Sequence, residues 1–216
     1  IIVPGTEQAH IDFAADPVFA PVGWVSGWDG AAWRTVGSGT LVKSDKVLTA
    51  GHVLTTFGYT QFRFSLGPSV FLPNTGRSVA SSYDILGIGG NPVDPDLAVL
   101  TLENPITSAT PASIYMGNDL QVGDRVIFAD YGVLGYYPTG ELPADGIKRA
   151  GENLIRFIGP DAVLGPDRIT WDFGPAHGTP SLPLEQNGSN FSSGGGVFGF
   201  VDDNWQLVGV ISGGVP

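Results

Sequence analysis

Residues 37–53 read GSGTLVKSDKVLTAGHV. The stretch closes a strand-like run at 33–42, turns at SDK (44–46), and resumes as VLTAGHVL (47–54). Two β-rich runs joined by a three-residue polar turn predict an antiparallel pair. The second run carries an imidazole, His52, just past its most apolar part.

Similar runs recur on both sides. PVGWVSGW (21–28) precedes the turn DGAA, and QFRFSL (61–66) alternates polar and apolar residues with a strand period. DLAVLTL (96–102) is almost continuously apolar, which predicts a strand buried on both faces. DRVIFADYG (124–132), NLIRFIG (153–159), RITWDF (168–173), GGVFGFV (195–201) and WQLVGVIS (205–212) read the same way. No amphipathic helix of three turns and no internal repeat stand out. Short strands with a turn signal about every ten residues predict an all-β sandwich or barrel. NPITSATPASIY (104–115) is rich in Pro, Ser and Thr and has no periodicity. It reads as a linker between an N-terminal β unit, 1–103, and a C-terminal one, 116–216.

Composition narrows the function. The chain has 216 residues, of which 32 are glycine and 17 proline, a mix suited to short strands and many turns. With 42% hydrophobic residues and five tryptophans it can bury a core. A formal charge of −11 argues against nucleic acid or an anionic membrane surface as partner. There is no cysteine, so disulfides and thiolate metal sites are excluded. The acids show no calcium-loop spacing, and no cofactor is expected. No run approaches the roughly 20 apolar residues of a membrane helix. The first residue is Ile1 rather than methionine, which suggests a processed, exported form, secreted or held in the cell envelope.

Three polar residues sit where chemistry could use them. His52 lies in TAGHV. Asp96 opens the buried run. Ser193 precedes three glycines and a strand. A serine hydroxyl attacks a carbonyl only with a base in hydrogen-bond reach, and that base needs an anchor on its other nitrogen. Taken singly, each has a plainer reading as a packed histidine, a turn aspartate or a loop serine. Asp94 competes with Asp96, and Ser192 with Ser193. Asp96 is preferred because Leu-Ala-Val-Leu follows it directly, and Ser193 because the glycines follow it. His10 and His177 have no such flanks and read as surface or loop residues. Asp202 and Asp203 read as a hairpin turn.

Together these segments resemble the chymotrypsin- and trypsin-like serine peptidases. GSGTLVKSDKVLTAGHV resembles the strand–turn–strand that leads into that family's Ala-Ala-His or Ala-Gly-His segment. DLAVLTL resembles its Asp-Ile-Ala-Leu-Leu run, SSGGGVF (192–198) its Asp-Ser-Gly-Gly-Pro-Val, and WQLVGVISGG (205–214) the strand that follows. The order His, Asp, Ser is also the family's. The resemblance implies two six-stranded antiparallel β-barrels, the second without its last strand and C-terminal helix. It implies a Ser-His-Asp triad of Ser193, His52 and Asp96, with the N–H groups of Phe191 and Ser193 as oxyanion hole. Asn187 would stand at the base of the specificity pocket, where trypsin-like members carry Asp, so Lys and Arg are not expected there. Ser212 would bond Asp96, and Ser212, Gly213 and Gly214 would pair with an extended peptide substrate.

Several positions depart from the family. Ser192 replaces the Asp that pairs with an activated amino terminus. Ile1 is therefore expected not to act as a buried switch, with Ser192 holding its loop by neutral hydrogen bonds. Phe191 replaces a glycine whose backbone angles a Cβ penalises. Gly214 would leave the pocket mouth open. An early end after 205–212 would expose a sheet edge, for residues 1–20, a partner chain or a removed tail to cover. Two N-x-S sequons, Asn187 and Asn190, crowd the nucleophile, which fits a host that leaves them unglycosylated, such as most bacteria. These departures define the alternative to a serine endopeptidase: a weak or inactive member of the same fold that binds peptides or proteins. Esterase activity is a third use of the same triad.

Overall fold

The computed structural model describes residues 2, 6–88, 95–136, 139–161, 165–173 and 182–213. The chain is all-β. Six strands, β1 (Val22–Trp28), β2 (Trp33–Lys43), β3 (Lys46–Thr49), β4 (Phe62–Leu66), β5 (Gly76–Ile88) and β6 (Asp96–Leu102), close into one barrel in the order β1-β2-β3-β6-β5-β4. Every neighbouring pair is antiparallel. Alternate residues point inward, so Val25, Leu41, Val47, Phe62, Phe64 and Leu100 share one core. Each such side chain contributes about 1.5–3 kcal/mol by leaving water. Along β6 burial alternates instead of running continuously: Asp96, Ala98, Leu100 and Leu102 face in, while Leu97, Val99 and Thr101 are half-covered. The strand is a barrel stave, not a strand buried on both faces.

The second half is built on β7 (Arg125–Asp130), β8 (Gly135–Tyr136), β9 (Gly140–Glu141), β10 (Arg149–Leu154), β11 (Phe157–Asp161), β12 (Gly165–Thr170), β13 (Gly196–Val201) and β14 (Asn204–Val210). Four of these form a sheet in the order β10-β7-β13-β14; β8 pairs with β9, and β11 with β12. Asp202 and Asp203 join β13 to β14 with φ of 49° and 61°, the left-handed pair that a two-residue hairpin requires.

Both edges of this sheet are covered from within the chain. At β14, Leu207 exchanges backbone bonds with Ser113 and Tyr115. At β10, Glu152 exchanges them with Leu184 and Gln186. The residues 1–20 offered from sequence as a cover for β14 instead put helix α1 (Glu7–Ala14) against β10. Phe19 then joins Val22, Trp24, Ile127, Ala129 and Phe198 in a core between the halves. This corrects the surface reading of His10, which is fully buried on α1 with Nδ1 2.8 Å from the Ala150 carbonyl. His177 and Asp94 lie outside the described residues.

The run 47–54 is not one strand. It stops at Thr49, and the five-residue helix α2 (Gly51–Thr55) turns His52 towards β6. Gly51 permits that turn. A Cβ on it would fall 1.8 Å from the Gly87 carbonyl oxygen of β5 and 3.3 Å from Asp96 Oδ1. The neighbour is backbone in a paired strand and cannot swing aside. Gly51→Ala is therefore expected to lower stability by about 1–3 kcal/mol in chemical denaturation, the usual range for overpacking. An unchanged midpoint would show that β5 gives way freely.

Candidate active site

Asp96 is the centre of the site. It opens β6 at the barrel rim and is 6% exposed. Its Oδ2 lies 2.6 Å from His52 Nδ1 and accepts a 2.6 Å bond from Ser212 Oγ, while Oδ1 accepts the His52 backbone N–H at 2.9 Å. Burial pushes its pKa up. The ring of His52, the Ser212 hydroxyl and the His52 N–H together outweigh that and hold the carboxyl below the usual range. The imidazole is thereby oriented by one nitrogen, and its side chain remains 35% exposed.

Ser193 reaches the same cluster from the second half. Its hydroxyl donates to the Ser212 carbonyl at 3.1 Å, one residue's backbone away from the Asp96 carboxylate. His52 Nε2 is not its partner in this structure. The loop carrying Ser193 also packs beside the histidine: a Cβ on Gly37 would touch both the Ser193 carbonyl and Val53.

The backbone of that loop is held from several sides. Ser189 N–H donates to Ser192 Oγ, Asn190 N–H to Glu141, Ser192 N–H to the Ser189 carbonyl, Gly194 N–H to Ile211 and Gly195 N–H to Ser192. Among the described residues, Phe191 and Ser193 are the two of residues 189–195 whose N–H has no acceptor. Their carbonyls are turned to the first barrel, where Ser38 Oγ donates to Phe191 and Ser38 N–H to Ser193. Phe191 takes φ 69°, the left-handed region that costs a side-chain-bearing residue about 1–2 kcal/mol. Gly194 has φ +85° and would meet the Ser38 carbonyl at 2.1 Å if it carried a Cβ.

Asn187 accepts the Trp171 indole N–H at 3.0 Å and the Gly188 N–H at 2.9 Å. It offers no formal charge. Among the described residues, Gly188 has only Ile211 near its missing Cβ, and Gly213 has nothing within 4 Å. Gly214 and Ile1 lie outside the described residues.

Ser192 is held by hydrogen bonds at both its hydroxyl and its N–H. Its hydroxyl donates at 3.1 Å to Oδ1 of Asp130, a buried carboxylate at the end of β7 that the sequence did not single out. The only local signal was an acid closing an otherwise apolar run, VIFAD. Among the described residues no group of three His, Asp or Glu side chains is placed to hold a metal.

The family model for trypsin matches residues 2–140. The matched stretch includes His52 and Asp96 and ends before Ser193. Comparison with curated proteins found no match. With a closed six-stranded antiparallel barrel, a second β-sheet packed on it, and a match over more than half its length, the chain belongs to the trypsin family of chymotrypsin-like serine peptidases.

Proposed function

We propose that the chain is a serine endopeptidase acting through an acyl-enzyme intermediate. The observation that carries this reading is the hydrogen-bonded row from His52 through Asp96 and Ser212 to Ser193. In the reaction the Ser193 hydroxyl leaves the Ser212 carbonyl and turns to His52 Nε2. His52 takes its proton as Oγ attacks the peptide carbonyl, then passes that proton to the departing amine. A water, deprotonated by the same imidazole, hydrolyses the ester. Asp96 stays ionised throughout, fixes the tautomer and stabilises the imidazolium.

The developing oxyanion falls to the two loop N–H groups without acceptors, Phe191 and Ser193. Each such donor contributes roughly a hundred- to a thousandfold in rate. Ser212 and Gly213 supply backbone for an extended substrate strand. The neutral Asn187, engaged with Trp171, disfavours a cationic side chain before the scissile bond and suits an apolar or neutral one. The competing reading, a peptide-binding protein without turnover, draws on the left-handed Phe191 and on the Ser193–Ser212 bond.

A fluorophosphonate probe separates the two. Wild type should label at a single site, and Ser193→Ala and His52→Ala should not label. Asp96→Asn should slow the reaction by about ten-thousandfold by presenting the wrong tautomer. A folded, unlabelled wild type supports the binding protein.

Phe191 gives a second test. A β-branched residue tolerates left-handed angles least and would rotate the N–H out of place. Phe191→Val is expected to slow labelling at least about tenfold, whereas Phe191→Gly should match or exceed wild type. Equal rates for Phe191→Val and wild type would remove residue 191 from the oxyanion hole.

A further inference from the structure

The carboxylate of Asp130 has no role in the chemistry above, yet it lies directly beneath the loop that performs it. It is 2% exposed. Burying a carboxylate is costly unless its oxygens are bonded. Among the described residues three donors meet it. Gly132 N–H reaches Oδ1 at 2.7 Å, Ser192 Oγ reaches Oδ1 at 3.1 Å, and Gln186 Nε2 reaches Oδ2 at 2.9 Å. Two of them, Gln186 and Ser192, bracket the segment that ends in the nucleophile.

The connection continues one step further. The Ser192 oxygen that donates to Asp130 also accepts the Ser189 N–H at 3.1 Å, and Ser192 N–H returns to the Ser189 carbonyl. Asp130 thus closes the 189–192 turn from below, with the left-handed Phe191 inside it. Arg149, its partner across the β7–β10 ladder, directs its guanidinium to Asp145 instead. The backbone is shaped for this approach. A Cβ on Gly132 would strike Ser192 Oγ at 2.0 Å, and one on Gly195 would strike Asp130 Cβ at 2.6 Å. A cavity of about 10 Å³, room for one water, adjoins the carboxylate between Ile2, Gln186 and Ser189.

We propose that Asp130 is the positioning residue of the nucleophile loop: through Ser192 it fixes the backbone that aims the Phe191 and Ser193 N–H groups, the task that a carboxylate at position 192 would otherwise perform. The proposal rests on the endopeptidase reading for its rate consequences, but the anchoring itself can be read without activity.

Two measurements on the full chain test it: the rate of fluorophosphonate labelling, with kcat and KM on any peptide substrate found, and amide hydrogen exchange across residues 189–195. Asp130→Ala and Ser192→Ala should slow labelling by about 10- to 100-fold, with kcat falling and KM little changed. They should also speed exchange at Gly194 and Gly195 by at least about tenfold. Asp130→Asn should stay within about threefold of wild type. Its amide oxygen still accepts from Gly132 and Ser192, and its NH2 can meet Gln186 Oε1, which is buried and has no partner. Moving the carboxylate, by Asp130→Ser with Ser192→Asp, should recover at least about tenfold of what Asp130→Ser alone loses, a rescue that mere filling of space would not give.

Should Asp130→Ala fail to fold, Ser192→Ala carries the test, because it leaves the carboxylate its Gly132 and Gln186 bonds. Wild-type labelling and exchange in Ser192→Ala would overturn the proposal. If wild type does not label at all, the endopeptidase reading fails while the exchange measurements still decide the anchoring.

Discussion

The buried carboxylate of Asp96 is the constraint on which the two halves of this molecule meet. Removing an ionised group from water costs several kcal/mol unless donors replace the lost hydration. Here three donors do so, two from His52 of the first barrel and one from Ser212 of the second half. The carboxylate therefore specifies the approach of the halves as well as the direction of the imidazole. Its pKa is lowered in the folded state, so the stabilisation is present above the ordinary carboxylate range. It is lost as pH falls through the lowered value. Structure and chemistry call for the same charge state.

Ser38 makes the corresponding connection on the loop side. It belongs to β2, yet its hydroxyl and N–H hold the carbonyls of Phe191 and Ser193, and the same hydroxyl accepts the Tyr131 N–H from the second half. The N–H groups in those two peptide units are those of Ser192 and Gly194, which are held in turn by the Ser189 and Ile211 carbonyls. Phe191 shows what this costs. The backbone takes a left-handed turn despite the side chain, because Ser38, Ser192 and Glu141 constrain its neighbours.

What could be read from the residues, and what could not, divides along one physical line. Strands that bury aliphatic side chains announce themselves, as β1, β2, β6 and β13 do. β5 does not: it is 13 residues long, faces solvent along most of its length and is written GRSVASSYDILGI. β10 fails for the opposite reason. Its residues are buried, but Glu152 and Asn153 are polar and are met by partners distant in the chain. The burial of His10 is hidden on the same ground, since it depends on β10 being there to receive it. Within the site, His52, Asp96, Ser193 and Ser212 were legible because flanking residues repeat a known local pattern, and Asp130 was not.

The departure at Ser192 then has a physical account that a linear reading could not supply. Read along the chain, a hydroxyl in place of a carboxylate removes a charge. Read in space, a carboxyl group is still beneath the loop, supplied by Asp130 on β7, and the serine serves as the link to it. A carboxyl on a strand is held by sheet pairing, whereas one within the loop must be ordered together with it. Holding the carboxyl outside the loop leaves the loop less conformational entropy to lose. That is a coherent way to hold Phe191 at angles its side chain disfavours. It also explains why Gly132 and Gly195 flank the carboxyl: where that group must reach a backbone turn from the neighbouring strand, nothing larger than hydrogen fits between them.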